Sequence, residues 1–145
     1  MDIGKIVSQL PLQKRKYELV VEPTHVDDST FHCSFTWGSD TPIYLGYAEL
    51  DIADSVGISY FYPLVSFEDD LKKKGLGVIS YANMLESYLK HTSRPYAEQI
   101  PISFQTHVSD DLLAMLSRIQ AHTQGETVHE HIRKCQRWFY QRIFD

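Results

Sequence analysis

Apolar and polar residues alternate with a period of two over Thr30–Trp37 (TFHCSFTW). Phe31, Cys33, Phe35 and Trp37 fall on one side, His32, Ser34 and Thr36 on the other, which predicts a half-buried β-strand. The preceding stretch 16–24 (KYELVVEPT) is rich in β-branched residues and predicts a strand that ends at Pro23, where a ladder N–H is lost. Asp27-Asp28-Ser29 is a turn cluster, and Gly38–Pro42 is a turn by composition. A third strand is predicted over Ile43–Ile52, with Tyr44, Gly46, Ala48, Leu50 and Ile52 opposite Leu45, Tyr47 and Glu49. Asp54-Ser55-Val56-Gly57 then turns into a fourth strand, Ile58–Val65, which Pro63 should interrupt or bulge. Three consecutive strands joined by short turns make an antiparallel meander.

The period then changes. Val78, Tyr81, Ala82, Leu85, Tyr88 and Leu89 recur at helical spacing, and the helix should stop before Thr92-Ser93-Arg94-Pro95. Ile100–Val108 reads as a fifth strand. Ser109 with Asp110 and Asp111 is an N-cap followed by first-turn acids, opening a helix through Leu112, Leu113, Leu116 and Ile119. Gly125 breaks it. Thr127-x-x-Glu130 is a capping box, and Val128, Ile132, Cys135, Phe139 and Ile143 form the stripe of a last helix. The predicted fold is α+β: a mostly antiparallel sheet with helices packed on it, in a single domain over residues 1–145.

Composition narrows the class. A chain of 145 residues with 43% apolar residues can build its own core, and a formal charge of −5 argues against nucleic acid as a partner. The two cysteines, Cys33 and Cys135, cannot make a disulfide framework and read as reduced thiols. Near Met1 there are only short apolar pairs before Lys14-Arg15-Lys16, and no run approaches the ~18–20 apolar residues of a spanning helix. The expectation is a cytoplasmic protein without a membrane partner.

The chemistry-bearing stretch is Val65–Leu89. A strand ends, a short polar connection follows, and Lys72-Lys73-Lys74-Gly75-Leu76-Gly77 leads directly into the amphipathic helix. A helix start leaves about four N–H groups without partners and carries partial positive charge. Glycines admit close backbone approach to a phosphate, and lysines add charge, so the segment can serve as an anion site. The same residues also fit a plain helix–glycine–helix corner, with Ser66 as N-cap, the acids first, the lysines last and Gly75 as C-cap.

The pattern Lys72-x-x-Gly75-x-Gly77, after a strand and opening a helix, resembles the acyl-CoA motif of the GNAT superfamily of N-acetyltransferases. In that family the motif is Arg or Gln, two residues, Gly, one residue, then Gly or Ala. The likeness spans about residues 43–120 and includes the strand order. It implies a GNAT-like acyl-CoA-binding fold and acetyl transfer from acetyl-CoA to an amine acceptor, a small molecule or a protein. Val65 and Phe67 would pair with pantetheine through their main chain, and Lys73, Lys74, Gly75, Leu76, Gly77 and Val78 would offer amides to the pyrophosphate. Lys72, Lys73 and Lys74 would also attract the 3′-phosphate. The family's fourth strand splays from its fifth to make the cofactor slot, and Pro63 suits such a strand.

The chain departs from the family in three places. Lys72 stands where Arg or Gln is usual. Leu116 occupies the position of the tyrosine that protonates the leaving thiolate. His25–Ser29 replaces the helices that usually separate the first two strands. Acetyl transfer needs a base for the amine and N–H donors for the oxyanion. The candidate bases are Glu49, in mid-strand, and His107, at the end of the fifth strand. His129 and His131, two apart, point to opposite sides of a helix and cannot share a metal from one face; with His122 they read as a solvated surface. The run Arg133–Arg142 mixes bases with aromatics and reads as a packed helix with its cations in water. A second functional class stays open: a non-enzymatic adaptor or chaperone-like domain, since nine Tyr and seven Phe suit a protein interface, that of a homodimer included.

Overall fold

The computed structural model of the protein describes residues 19–37, 43–67, 76–103, 110–121 and 124–143. Four strands, β1 (Leu19–Val26), β2 (Thr30–Trp37), β3 (Ile43–Ser55) and β4 (Ile58–Phe67), form an antiparallel meander, one strand more than the three expected. Helix α1 (Leu76–His91) then crosses to β5 (Pro101–Ser103), preceded by a 3-10 turn at Ala97–Gln99. Helix α2 (Asp110–Arg118), strand β6 (Gln124–Thr127) and helix α3 (Val128–Ile143) complete the order. The six strands are arranged β1-β2-β3-β4-β5-β6, so each lies beside its chain neighbour. Only β4 and β5 run parallel among the described strands, which is why a helix, rather than a turn, connects them. The fold is α+β with a mixed sheet.

The core lies between one sheet face and α1. Phe31, Cys33 and Phe35 of β2, Ala48, Leu50 and Ile52 of β3 and Phe61 of β4 are all buried, as their alternation requires. Helix α1 packs against β1 and β2 on that face and against α3. Being covered on two sides, it buries Ser80 and Met84 in addition to the stripe of Val78, Tyr81, Ala82, Leu85 and Tyr88. The Tyr88 ring stands 5.9 Å from Phe31, edge-on, and 5.1 Å from Phe61. Such aromatic pairs add roughly 0.5–1.5 kcal/mol each beyond their burial.

Several local expectations are corrected. Strand β1 continues past Pro23 to Val26: among the described strands it lies at the edge, and its register with β2 shifts between Pro23 and His25, so the missing N–H costs no ladder bond. In β3 the predicted faces of Tyr44 and Leu45 are exchanged. Phe35 pairs with Gly46 but Thr36 with Tyr44, leaving Leu45 as the extra residue of a bulge; Leu45 is fully buried and Tyr44 half exposed. Strand β6 was hidden between a helix break and a capping box. It pairs antiparallel with β5, and Val128 N–H donates to Ile100 C=O at 3.0 Å. The capping box itself forms, Glu130 N–H donating to Thr127 Oγ1 at 3.2 Å.

At one end of the sheet, Arg94 ties three loops together. Its Nε donates to Asp28 C=O at 2.8 Å, and its Nη atoms donate to Asp54 Oδ1 and Oδ2 at 3.2 and 3.0 Å and to Ser59 Oγ at 3.1 Å. The guanidinium and the Ser59 hydroxyl hold the Asp54 carboxyl below its ordinary pKa. In the neighbouring β1–β2 turn, Ser29 N–H and His25 hold Asp27 at about 2. The β3–β4 hairpin turns at Val56 and Gly57, both at positive φ (51° and 76°), as a two-residue primed turn demands.

Candidate functional site

The backbone polarity of β4 follows from one hydrogen bond on the neighbouring strand. Ile52 N–H donates to Ser29 C=O at 2.8 Å, so Ile52 and Leu50 turn their peptide groups toward β2. Their partners across β3–β4 are Phe61 and Pro63. In an antiparallel ladder these pairs are therefore not hydrogen-bonded to each other, and Phe61, Pro63, Val65 and Phe67 turn their backbone groups away from β3. This corrects the expectation of an interruption at Pro63. The β3–β4 register is continuous from Ser55↔Ile58 to Gly46↔Phe67, because the proline nitrogen points away from the ladder.

On the side they face, β5 meets β4 at a single register position, Phe61↔Ile102. Beyond it, among the described residues, no strand pairs with Pro63–Phe67 on that side. Pro63 offers no donor there, and Val65 is the first residue past it with both N–H and C=O directed away from β3; residues 104–109, which follow β5, lie outside the described residues. The Val65 side chain packs against the core.

Past β4 the chain enters α1 at Leu76 and Gly77. No acidic residue occupies the first turn of α1, and Lys90 and His91 sit in its last turn, so no carboxylate of its own offsets the positive N-terminal end. Val78, in that turn, is 3% exposed and anchors the helix start in the core. Lys72, Lys73, Lys74, Gly75 and the candidate base His107 lie outside the described residues.

The structure does not bring Glu49 to the face of Val65. Glu49 is half-buried on the sheet face opposite the core, directly between His32 of β2 and Leu64 of β4. Val65 belongs to the core face, so the pleat separates the two. Leu116, at the position where the GNAT family carries a tyrosine, is a buried core residue.

The sequence reading missed a buried polar chain beneath the first two turns of α1. The Tyr81 hydroxyl lies 2.8 Å from His131 Nδ1, and His131 Nε2 lies 3.2 Å from Glu126 Oε2. Lys134 Nζ donates to Glu126 Oε1 and, at 2.8 Å, to Gln120 C=O. The arrangement is complementary when Tyr81 donates to Nδ1 and Nε2–H faces the carboxylate. His131 is thus fully buried rather than part of a solvated surface, while His129 is exposed as predicted. Burial pushes the Tyr81 phenol well above its ordinary value, the Cys135 thiol and Glu126 adding to it. Tyr81 and His131 are sealed from solvent, so their role is to position α1 against β6 and α3. A helix-periodic polar residue beside a tyrosine stripe was the available signal, but its partners lie 50 residues away.

Burial also pushes the thiols of Cys33 and Cys135 up to about 12, leaving both as core groups. Among the described residues no set of three or more His, Cys, Asp or Glu side chains is placed to hold a metal, and no helix is long and apolar enough to cross a membrane. Compared with models of known families, with curated proteins and with solved structures, the chain matches none.

Proposed function

We propose that the protein binds a coenzyme A thioester between β4 and β5, in a GNAT-like manner, and transfers the acyl group to an amine. One observation carries this reading: β4 turns the main-chain groups of Val65 and Phe67 away from β3, and among the described residues β5 pairs with β4 at Phe61↔Ile102 alone. An extended pantetheine arm carries amides that can pair with such an edge as a further strand would. The start of α1 follows this edge in the chain and lacks a first-turn acid, which suits a pyrophosphate. Leu76, Gly77 and Val78 would supply amides there.

Acetyl-CoA, when bound, supplies the activated thioester. The chain's own part is to hold the cofactor along β4, to direct N–H groups at developing negative charge, and to remove the amine proton. Lys72, Lys73, Lys74 and Gly75 remain the proposed phosphate contacts and His107 a proposed base. Glu49 would need the acceptor to approach from the outer sheet face.

Calorimetric titration with acetyl-CoA tests the reading, comparing the protein with its Gly75→Glu variant. Saturable binding that the variant loses supports it. No heat from the folded protein at about 1 mM cofactor refutes it. In that event the adaptor reading takes precedence, because Tyr44 and Tyr47 are 50% and 41% exposed on the outer sheet face.

A further inference from the structure

We infer that His25 and His32 form a chelating pair for one divalent transition-metal ion, of the kind that prefers imidazole, on the edge of the sheet. The two residues face each other directly across β1 and β2. Their ring centroids are 5.6 Å apart and the planes are inclined by 47°. With Zn–N bonds of about 2.0–2.1 Å, two imidazoles on one tetrahedral ion have centroids roughly 5 Å apart. The observed separation therefore needs a change of only a few tenths of an ångström, within the reach of a side-chain torsion.

A second observation concerns which nitrogen is available. His25 Nε2 lies 2.6 Å from Asp27 Oδ2, and Asp27 is itself oriented by Ser29 N–H, 2.8 Å from its Oδ1. A carboxylate that accepts Nε2–H fixes the tautomer and leaves the Nδ1 lone pair of His25 for an ion. This carboxylate–imidazole arrangement is the usual support behind a metal-bound histidine. Glu49, opposite His32 on its other side, adds negative charge beside the pair. His25 and Asp27 side chains are 51% and 48% exposed, so the ion can enter from solvent. Two imidazoles supply half of a tetrahedral shell and water the rest; that is why no three-residue group marks the site. Imidazole ligands select zinc, copper and nickel over calcium and magnesium. A bound ion would join β1 to β2 beside the register shift at Pro23, where the edge ladder is weakest.

The test titrates Zn²⁺ alone into the full chain after chelator treatment, by calorimetry and by thermal melting. One saturable site and a rise in Tm are expected, with His25→Gln and His32→Gln each weakening binding at least tenfold. His129→Gln, an exposed histidine on α3, should leave the affinity unchanged. Asp27→Asn should weaken it several-fold while both histidines remain. Melting in chelator checks that each variant is folded, which is expected because all four positions are at least partly exposed. Retained affinity in His25→Gln or His32→Gln, or no saturation by about 1 mM Zn²⁺, overturns the inference.

Discussion

Glu126→Gln probes the buried chain that joins α1, β6 and α3. The Glu126 side chain is 6% exposed, with His131 Nε2 at 3.2 Å and Lys134 Nζ on its other oxygen. The substitution keeps the shape and removes the charge, leaving the ammonium of Lys134 with neutral carbonyl acceptors, Gln120 C=O among them, in place of a carboxylate. Breaking a fully buried pair costs about 3–5 kcal/mol. Lys134 is 19% exposed and can turn partly to water, so the expected loss is lower, about 2–3 kcal/mol. Against a domain stability of roughly 5–15 kcal/mol this is readily measured by urea denaturation.

The companion variant Lys134→Met removes the cation beside Glu126 and should cost a similar amount. The double variant should recover at least about 1 kcal/mol relative to the sum, because the uncompensated charges vanish together. Additive losses, or a loss below about 0.5 kcal/mol for Glu126→Gln, would refute the assignment of a coupled buried pair.

Other consequences are simpler. Val56 is β-branched, 97% exposed and held at φ 51°, so Val56→Asn should stabilise the β3–β4 hairpin by about 1 kcal/mol and raise Tm by a few degrees in a calorimetric scan. Cys33 and Cys135 should be inert to a thiol reagent at pH 8 in the native state and react fully in denaturant. Their folded pKa values, about 12, are raised above the ordinary 9, so their contribution to stability is complete below pH 9 and is lost as pH rises toward 12; alkaline melts should show that decline. Arg94→Lys keeps the charge but loses the fork that serves Asp28, Asp54 and Ser59, and hydrogen exchange should quicken several-fold around Asp54–Ser59 while α1 keeps its protection.

The meander and all three helices were legible because each shows its own period. Phe31, Cys33 and Phe35 alternate, and Val78, Tyr81, Ala82 and Leu85 recur every three or four residues. The misses arise where a neighbour decides. Leu45 enters the core because β2 offers no partner at its place, which nothing in the local sequence of β3 encodes. Strand β6 is four residues long and carries Gly125 at φ 86°, so its composition reads as a break and only pairing with β5 makes it a strand. His131 looks like its exposed neighbour His129 until Tyr81 and Glu126 are brought to it.

The candidate site divides along the same line. Residue types and spacing could mark a strand, two glycines and a helix, but not the direction of the β4 peptide groups, because that parity is set by β2 through Ile52 and Ser29. Pro63 is informative once the parity is known. A proline there would break the β3–β4 ladder in the opposite parity, and here it removes a donor from the side away from β3 instead. The buried chain under α1 then has a positional consequence. Tyr81 is one turn beyond the helix start and is fixed by His131, which is oriented in turn by β6 through Glu126. The same β6 holds β5, through Pro101↔Thr127 and Ser103↔Gln124. β4 with α1 on one side and β5 on the other are therefore held through a shared short strand. Loosening Glu126 should widen their relative freedom as well as lower global stability; on the proposed reading, acetyl-CoA affinity in Glu126→Gln, measured where the variant remains folded, should then fall although Glu126 lies outside the proposed cofactor contacts.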